Sequence, residues 1–144
     1  MFACLASATG CMAGTATLVL KTDSGDHRYT VEVASSDGDR RMGLMFRRSL
    51  PEKSGMLFLY DPPQPAAMWM QNTYIPLDMI FISADGLVHR IAANTEPFST
   101  DLILSGGVVA GVLELNAGQA AKIGLRREDQ VIFPGLGARR AIRP

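Results

Sequence analysis

Short apolar runs, each cut off by a cluster of Gly, Pro, Asn or Asp, recur along almost the whole chain. That punctuation leaves little freedom of fold. A helix needs an apolar period of about 3.6 sustained over some ten residues, whereas a strand needs only about four to eight residues. Residues 16–22 are rich in β-formers and stop at Asp23-Ser24-Gly25-Asp26. In 28–34, Tyr29, Val31 and Val33 alternate with Arg28, Thr30 and Glu32, so the two runs read as a hairpin. Further strands are expected at 55–60, 77–82, 87–92, 108–115 and 130–133, with Ala84-Asp85-Gly86 as a second hairpin turn. Three prolines in Asp61-Pro62-Pro63-Gln64-Pro65 predict a loop, because proline cannot ladder in a central strand. Two short helices fit between. One follows the capping residues Ser35-Ser36-Asp37-Gly38 and puts Met42, Met45 and Phe46 on one face. The other runs from Ala117 to Ile123, with Gly124 as its terminator. The expected fold is mainly β with minor α content: a single antiparallel barrel- or sandwich-like domain with two short helices.

The 144 residues are enough for one domain, and 47% hydrophobic against 19% charged residues supplies a core. Fourteen basic and fourteen acidic residues cancel, which gives no footprint for nucleic acid. No apolar run is long enough to cross a bilayer. Both cysteines, Cys4 and Cys11, fall in an uncharged opening of small apolar residues. Ala6-Ser7-Ala8 has the form of a signal-peptidase site, and Thr9-Gly10-Cys11 resembles the end of a lipoprotein signal. Residues 1–14 are therefore expected to be a signal remnant or a disordered start, 15–134 the folded domain and 135–144 a loose basic tail. The expected location is the periplasm or another exported site, with lipid anchoring at Cys11 as one form of it.

The densest polar motif is Trp69-Met70-Gln71-Asn72-Thr73, followed by Ile75-Pro76-Leu77-Asp78. Asn72 suits a turn, and Trp69 with an amide and a hydroxyl beside it suits a small polar-ligand or sugar site. Asp78 alternates with Ile80 and Ile82, so it is expected to be a buried carboxylate, with Arg47, Arg41 or backbone N–H groups as its partner. Glu114, between Leu113 and Leu115, points the other way from them. Asp78 and Glu114 are the candidates for a two-carboxylate acid–base site. Met68 and Met70, two of eight methionines, are weaker candidates for a Cu(I) site, against core filling. No Gly-x-Ser-x-Gly is present, and His27 and His89 lack partners at metal-ligand spacing, which argues against serine hydrolysis and zinc.

Read together, Arg41 to Arg47, Leu50-Pro51-Glu52, Gly55 to Phe58, Trp69 to Thr73, Ile75 to Asp78 and Leu113 to Gly118 resemble the DUF192 family over about residues 28–133. The chain departs from the common family pattern at Met68, where Phe is usual, and at Gln71, where Lys is usual. The resemblance implies a mainly β, barrel-like fold, often behind a signal peptide, and no established activity. The functional expectation is a binding module for a small polar ligand, a glycan or a partner protein. Its site would comprise Trp69, Asn72, Thr73, Asp78, Glu114 and Arg47, with no cofactor. The alternatives are a glycosidase-like hydrolase using Asp78 and Glu114, and a Cu(I)-binding protein using Met68 and Met70. Nothing in the sequence bears on oligomeric state.

Overall fold

The computed structural model describes residues 14–137. The signal-like opening, both cysteines and all but the first three residues of the basic tail lie outside them. The elements in order are β1 (Thr15–Thr22), β2 (Gly25–Ala34), α1 (Asp37–Met42), β3 (Ser54–Met68), β4 (Leu77–Ile82), β5 (Val88–Ala92), β6 (Ile103–Asn116), α2 (Gln119–Ile123) and β7 (Gln130–Ile132). The seven strands form one sheet in the order β5-β4-β6-β3-β2-β1-β7. All pairs are antiparallel except β2 with β3, which the crossover through α1 makes parallel.

The sheet curls into a half-barrel, as expected from many short strands with strong right-handed twist. Its two edges meet: Leu87 bridges Gln130, and the Val88 and Val131 amides donate to the Asp129 and Gly86 carbonyls at 2.9 and 2.8 Å. Both faces of the central strands are covered, so β4 is buried at every position. That is why 77–82 reads as an unbroken apolar run with one aspartate. The inner face packs Leu18, Leu20, Tyr29, Val31, Leu57, Ile80, Leu113 and Leu115. The opposite face packs Met56, Phe58, Met70, Leu77, Met79, Phe81 and Val112 beneath Leu44 and Leu50.

Three local expectations fail. The Pro-rich segment is part of β3, not a loop. Beyond Phe58 that strand has lost β2 and pairs only with β6, through register shifts between Leu59 and Gln64 and between Pro65 and Ala67. Prolines are tolerated there because one edge asks for no amide. Helix α1 ends at Met42, where Gly43 turns to φ +48°, so Met42 and Phe46 form no buried helical face and stand half-exposed. Leu59 lies in the continuous apolar run 55–60, which predicts burial, and is only partly buried.

At Gly55 of β3 the neighbouring strand β6 leaves no room for a side chain. A Cβ built there would lie 2.5 Å from the Glu114 carbonyl oxygen and 2.7 Å from Leu115 Cδ2. The first of these is backbone and cannot swing aside. Gly55→Ala is expected to destabilise the domain by about 1–3 kcal/mol, read as a lowered denaturant midpoint at unchanged slope. A midpoint equal to the parent's would mean the two strands can part freely.

Candidate functional site: a pocket over the outer face of the sheet

Glu114 and Asp78 sit on neighbouring strands and face opposite ways. In the β4–β6 register Asp78 opposes Leu115, and Glu114 opposes Met79. Alternation then puts Asp78 on the inner face with Ile80 and Ile82, and Glu114 on the outer face with Val112. The two-carboxylate site is therefore not formed.

Asp78 is 1% exposed and has no arginine partner among the described residues. Its Oδ1 accepts from the Asn94 amide at 3.0 Å, and its Oδ2 accepts from the Gly118 and Ala120 amides at 3.1 and 2.9 Å. It ties the loop after β5 to the start of α2, and of the expected partners the backbone N–H groups hold it rather than an arginine. Arg47 instead forms a two-pronged ion pair with Glu32.

Glu114 has no such company. It is 4% exposed, and its carboxyl makes no hydrogen bond or ion pair among the described residues. Burial alone pushes its pKa up to about 8. At neutral pH it is a protonated acid, because removing a carboxylate from water without compensation is costly. It lies in a pocket of about 230 Å³ with Arg40 and Arg41 of α1, Met42 to Met45, Phe58 and Tyr60 of β3, Ala67, Met68, Trp69 and Thr73.

The turn after β3 builds one wall. The Thr73 amide donates to the Met70 carbonyl at 3.1 Å, with Asn72 between them at φ +53°. Asn is among the few residues that adopt this geometry readily. The Asn72 carbonyl in turn receives the Phe46 amide at 2.8 Å, which fixes the turn to the segment that follows α1. Trp69 is left 43% exposed at the pocket, and Thr73 is buried with its hydroxyl donated to the Gln71 carbonyl at 3.0 Å. Of the residues expected at a site, the pocket unites Trp69, Thr73, Glu114 and Met68. Asn72 shapes it from behind, and Asp78 and Arg47 belong elsewhere.

The two methionines do not present a matched pair of sulfurs. Met70 is fully buried and its sulfur accepts the Thr95 hydroxyl at 3.2 Å. Met68 lines the pocket with its sulfur 3.6 Å from the Tyr60 hydroxyl. Among the described residues no cluster of three His, Cys, Asp or Glu could hold a metal ion.

Sequence reasoning missed Arg40 and Tyr60. Arg40 stacks over the Tyr60 ring at 5.3 Å, donates to the Leu59 carbonyl at 2.9 Å and pairs with Asp37. Burial raises the Tyr60 phenol pKa; Arg40 opposes that rise and Glu114 adds to it. The available signal was the Arg40-Arg41 doublet ahead of Gly43, which delivers two guanidiniums to one end of a six-residue helix.

No helix of the described residues is long and apolar enough to cross a membrane. No curated protein matches the chain. Two crystal structures share its fold with a TM-score of 0.81 each. One, a protein of unknown function from Novosphingobium aromaticivorans DSM 12444, is 39% identical, with 83% of this chain and 85% of that one covered. The other, a candidate transcription regulator from Sinorhizobium meliloti 1021, is 43% identical, with 85% and 98% covered. Residues 18–133 match the family DUF192, described as an uncharacterized ACR, across the whole sheet and the pocket residues above. The chain therefore belongs to the DUF192 family.

Proposed function

We propose that this domain is a non-catalytic binding module that takes a small polar ligand into the pocket beside Trp69. One observation carries the reading: the buried Glu114 carboxyl, without a partner among the described residues, faces an open pocket. Folding tolerates such a group only at a cost, and groups held at a cost cluster where a ligand is met. The exported location expected from the opening segment would put that ligand in the periplasm.

Trp69 is the only tryptophan in the chain, so its emission reports on the pocket directly. Titration with a panel of monosaccharides, amino acids and small carboxylic acids is expected to give a saturable change for at least one class. Ala67→Phe, at an exposed position that lines the pocket, should abolish it. A panel that leaves Trp69 unmoved, or a response that survives in the filled variant, would overturn the reading.

A second reading, hydrolysis with Glu114 as general acid, draws on the same protonated carboxyl. It is the weaker of the two, since Asp78 faces the other side of the sheet and no second carboxylate lines the pocket.

A further inference from the structure

Building on the reading of this pocket as a ligand site, we infer that its ligand is a small organic anion. Its carboxylate-like group would sit between the Arg41 guanidinium and the Glu114 carboxyl, and its apolar body would lie against Trp69.

The charges point this way. Arg40 is committed: it holds Asp37, the Ser35 and Leu59 carbonyls and the face of Tyr60. Arg41 makes no ion pair among the described residues and lines the same pocket. Among the described residues Glu114 is the only acid lining it, and it is neutral near pH 7. The pocket thus carries uncompensated positive charge, presented by a planar fork that matches a carboxylate two-pronged. The protonated Glu114 adds an O–H donor on the floor, and an anion that accepts it reinforces the protonated form.

The remaining lining argues against a sugar. The Thr73 hydroxyl is already given to a backbone carbonyl and the Tyr60 hydroxyl to the Met68 sulfur. Leu44, Phe58, Met68 and Trp69 supply apolar surface. A polyhydroxylated ring would leave several hydroxyls unpaired against those walls, a loss that sites of this kind discriminate strongly.

The ionisable groups around Glu114 are Arg40 and Arg41 from α1 and Tyr60 from β3. Strand β4 opposes it with Met79, and the 69–73 turn contributes nothing that titrates. Ionisation of Glu114 would replace the donor with a like charge, so anion affinity is highest below pH 8 and falls above it.

The test compares benzoate, its uncharged counterpart benzamide, and glucose, read by Trp69 emission and by amide NMR shifts. Benzoate is expected to bind about tenfold or more tighter than benzamide at about pH 6, with no response to glucose. Its affinity should drop about tenfold per unit once Glu114 ionises. Arg41→Gln, at an exposed position, should lose most of that affinity, while Arg48→Gln, outside the pocket, should lose none. Glu114→Gln, whose amide donates at every pH, should flatten the pH profile.

Equal binding of benzoate and benzamide, or glucose binding without benzoate, would overturn the anion assignment and leave the pocket standing as a ligand site. So would a benzoate affinity indifferent to Arg41. If no compound in the wider panel moves Trp69, the underlying reading falls as well.

Discussion

Asp78→Asn is expected to lower stability by about 3–5 kcal/mol, although it changes one atom and leaves the shape of the side chain intact. Three backbone amides converge on the two carboxylate oxygens inside the protein. An asparagine can turn its single oxygen toward the Gly118 and Ala120 amides or toward Asn94, and its NH₂ then meets an N–H head-on. At least one buried donor is orphaned, and the charge that strengthened every bond is gone. Charge-assisted bonds contribute about 1.5–3 kcal/mol each, so one or two lost bonds account for the range. In a domain of this size the melting temperature should fall by roughly 10–20 °C. Thermal and denaturant melts of the variant measure this. A midpoint within about 1 kcal/mol of the parent would mean the loop after β5 and the start of α2 do not depend on the carboxylate.

Glu114→Gln should have the opposite sign, and its size should depend on pH. The carboxyl pKa is pushed up from 4.5 to about 8 in the folded protein. Between those values the folded chain holds a proton that the unfolded chain has released. Stability therefore falls as pH rises through that window, by about 1.4 kcal/mol per unit, and levels off above it. Below pH 4.5 both states are protonated and the penalty vanishes. Glutamine carries no such linkage. The variant should be close to the parent at about pH 4 and more stable by on the order of 3 kcal/mol at pH 7, with a larger gain above pH 8. Paired melts across that range check it, and a difference that does not change with pH would show that Glu114 is ionised in the folded state. A substitution that stabilises the fold while altering ligand binding is the pattern of a residue retained for function.

These two acids also show what the sequence could and could not convey. Alternation correctly placed Asp78 with Ile80 and Ile82 and set Glu114 apart from Leu113 and Leu115, because side-chain direction in a strand is a local property. Whether the two faces were the same face depends on register between β4 and β6, a long-range property that no spacing encodes. Which of the expected partners holds Asp78, an arginine or backbone N–H groups, was illegible for a related reason: backbone amides are present at every residue and leave no mark in composition. The strand positions were legible from apolar runs and turn residues. The extension of β3 through Pro62, Pro63 and Pro65 was not, since proline reports only that an amide is missing. It does not say that one neighbour has already left the sheet. The pocket itself joins α1, β3, the 69–73 turn and β6; Met68, the Trp69–Thr73 motif and Glu114 stood out locally, whereas Arg40 and Tyr60 did not.

The bridge between Leu87 and Gln130 has a consequence for how the protein is made. Of the described strands β7 is the last to leave the ribosome, and until Gln130–Ile132 is available both β1 and the turn before β5 present bare backbone. During synthesis the nascent sheet is therefore open at two sites at once, each able to recruit a strand from a neighbouring chain. Completion of the final strand closes both together. The finished molecule resists edge-to-edge association there, and the exposure that begins when β1 emerges ends only when those three residues dock.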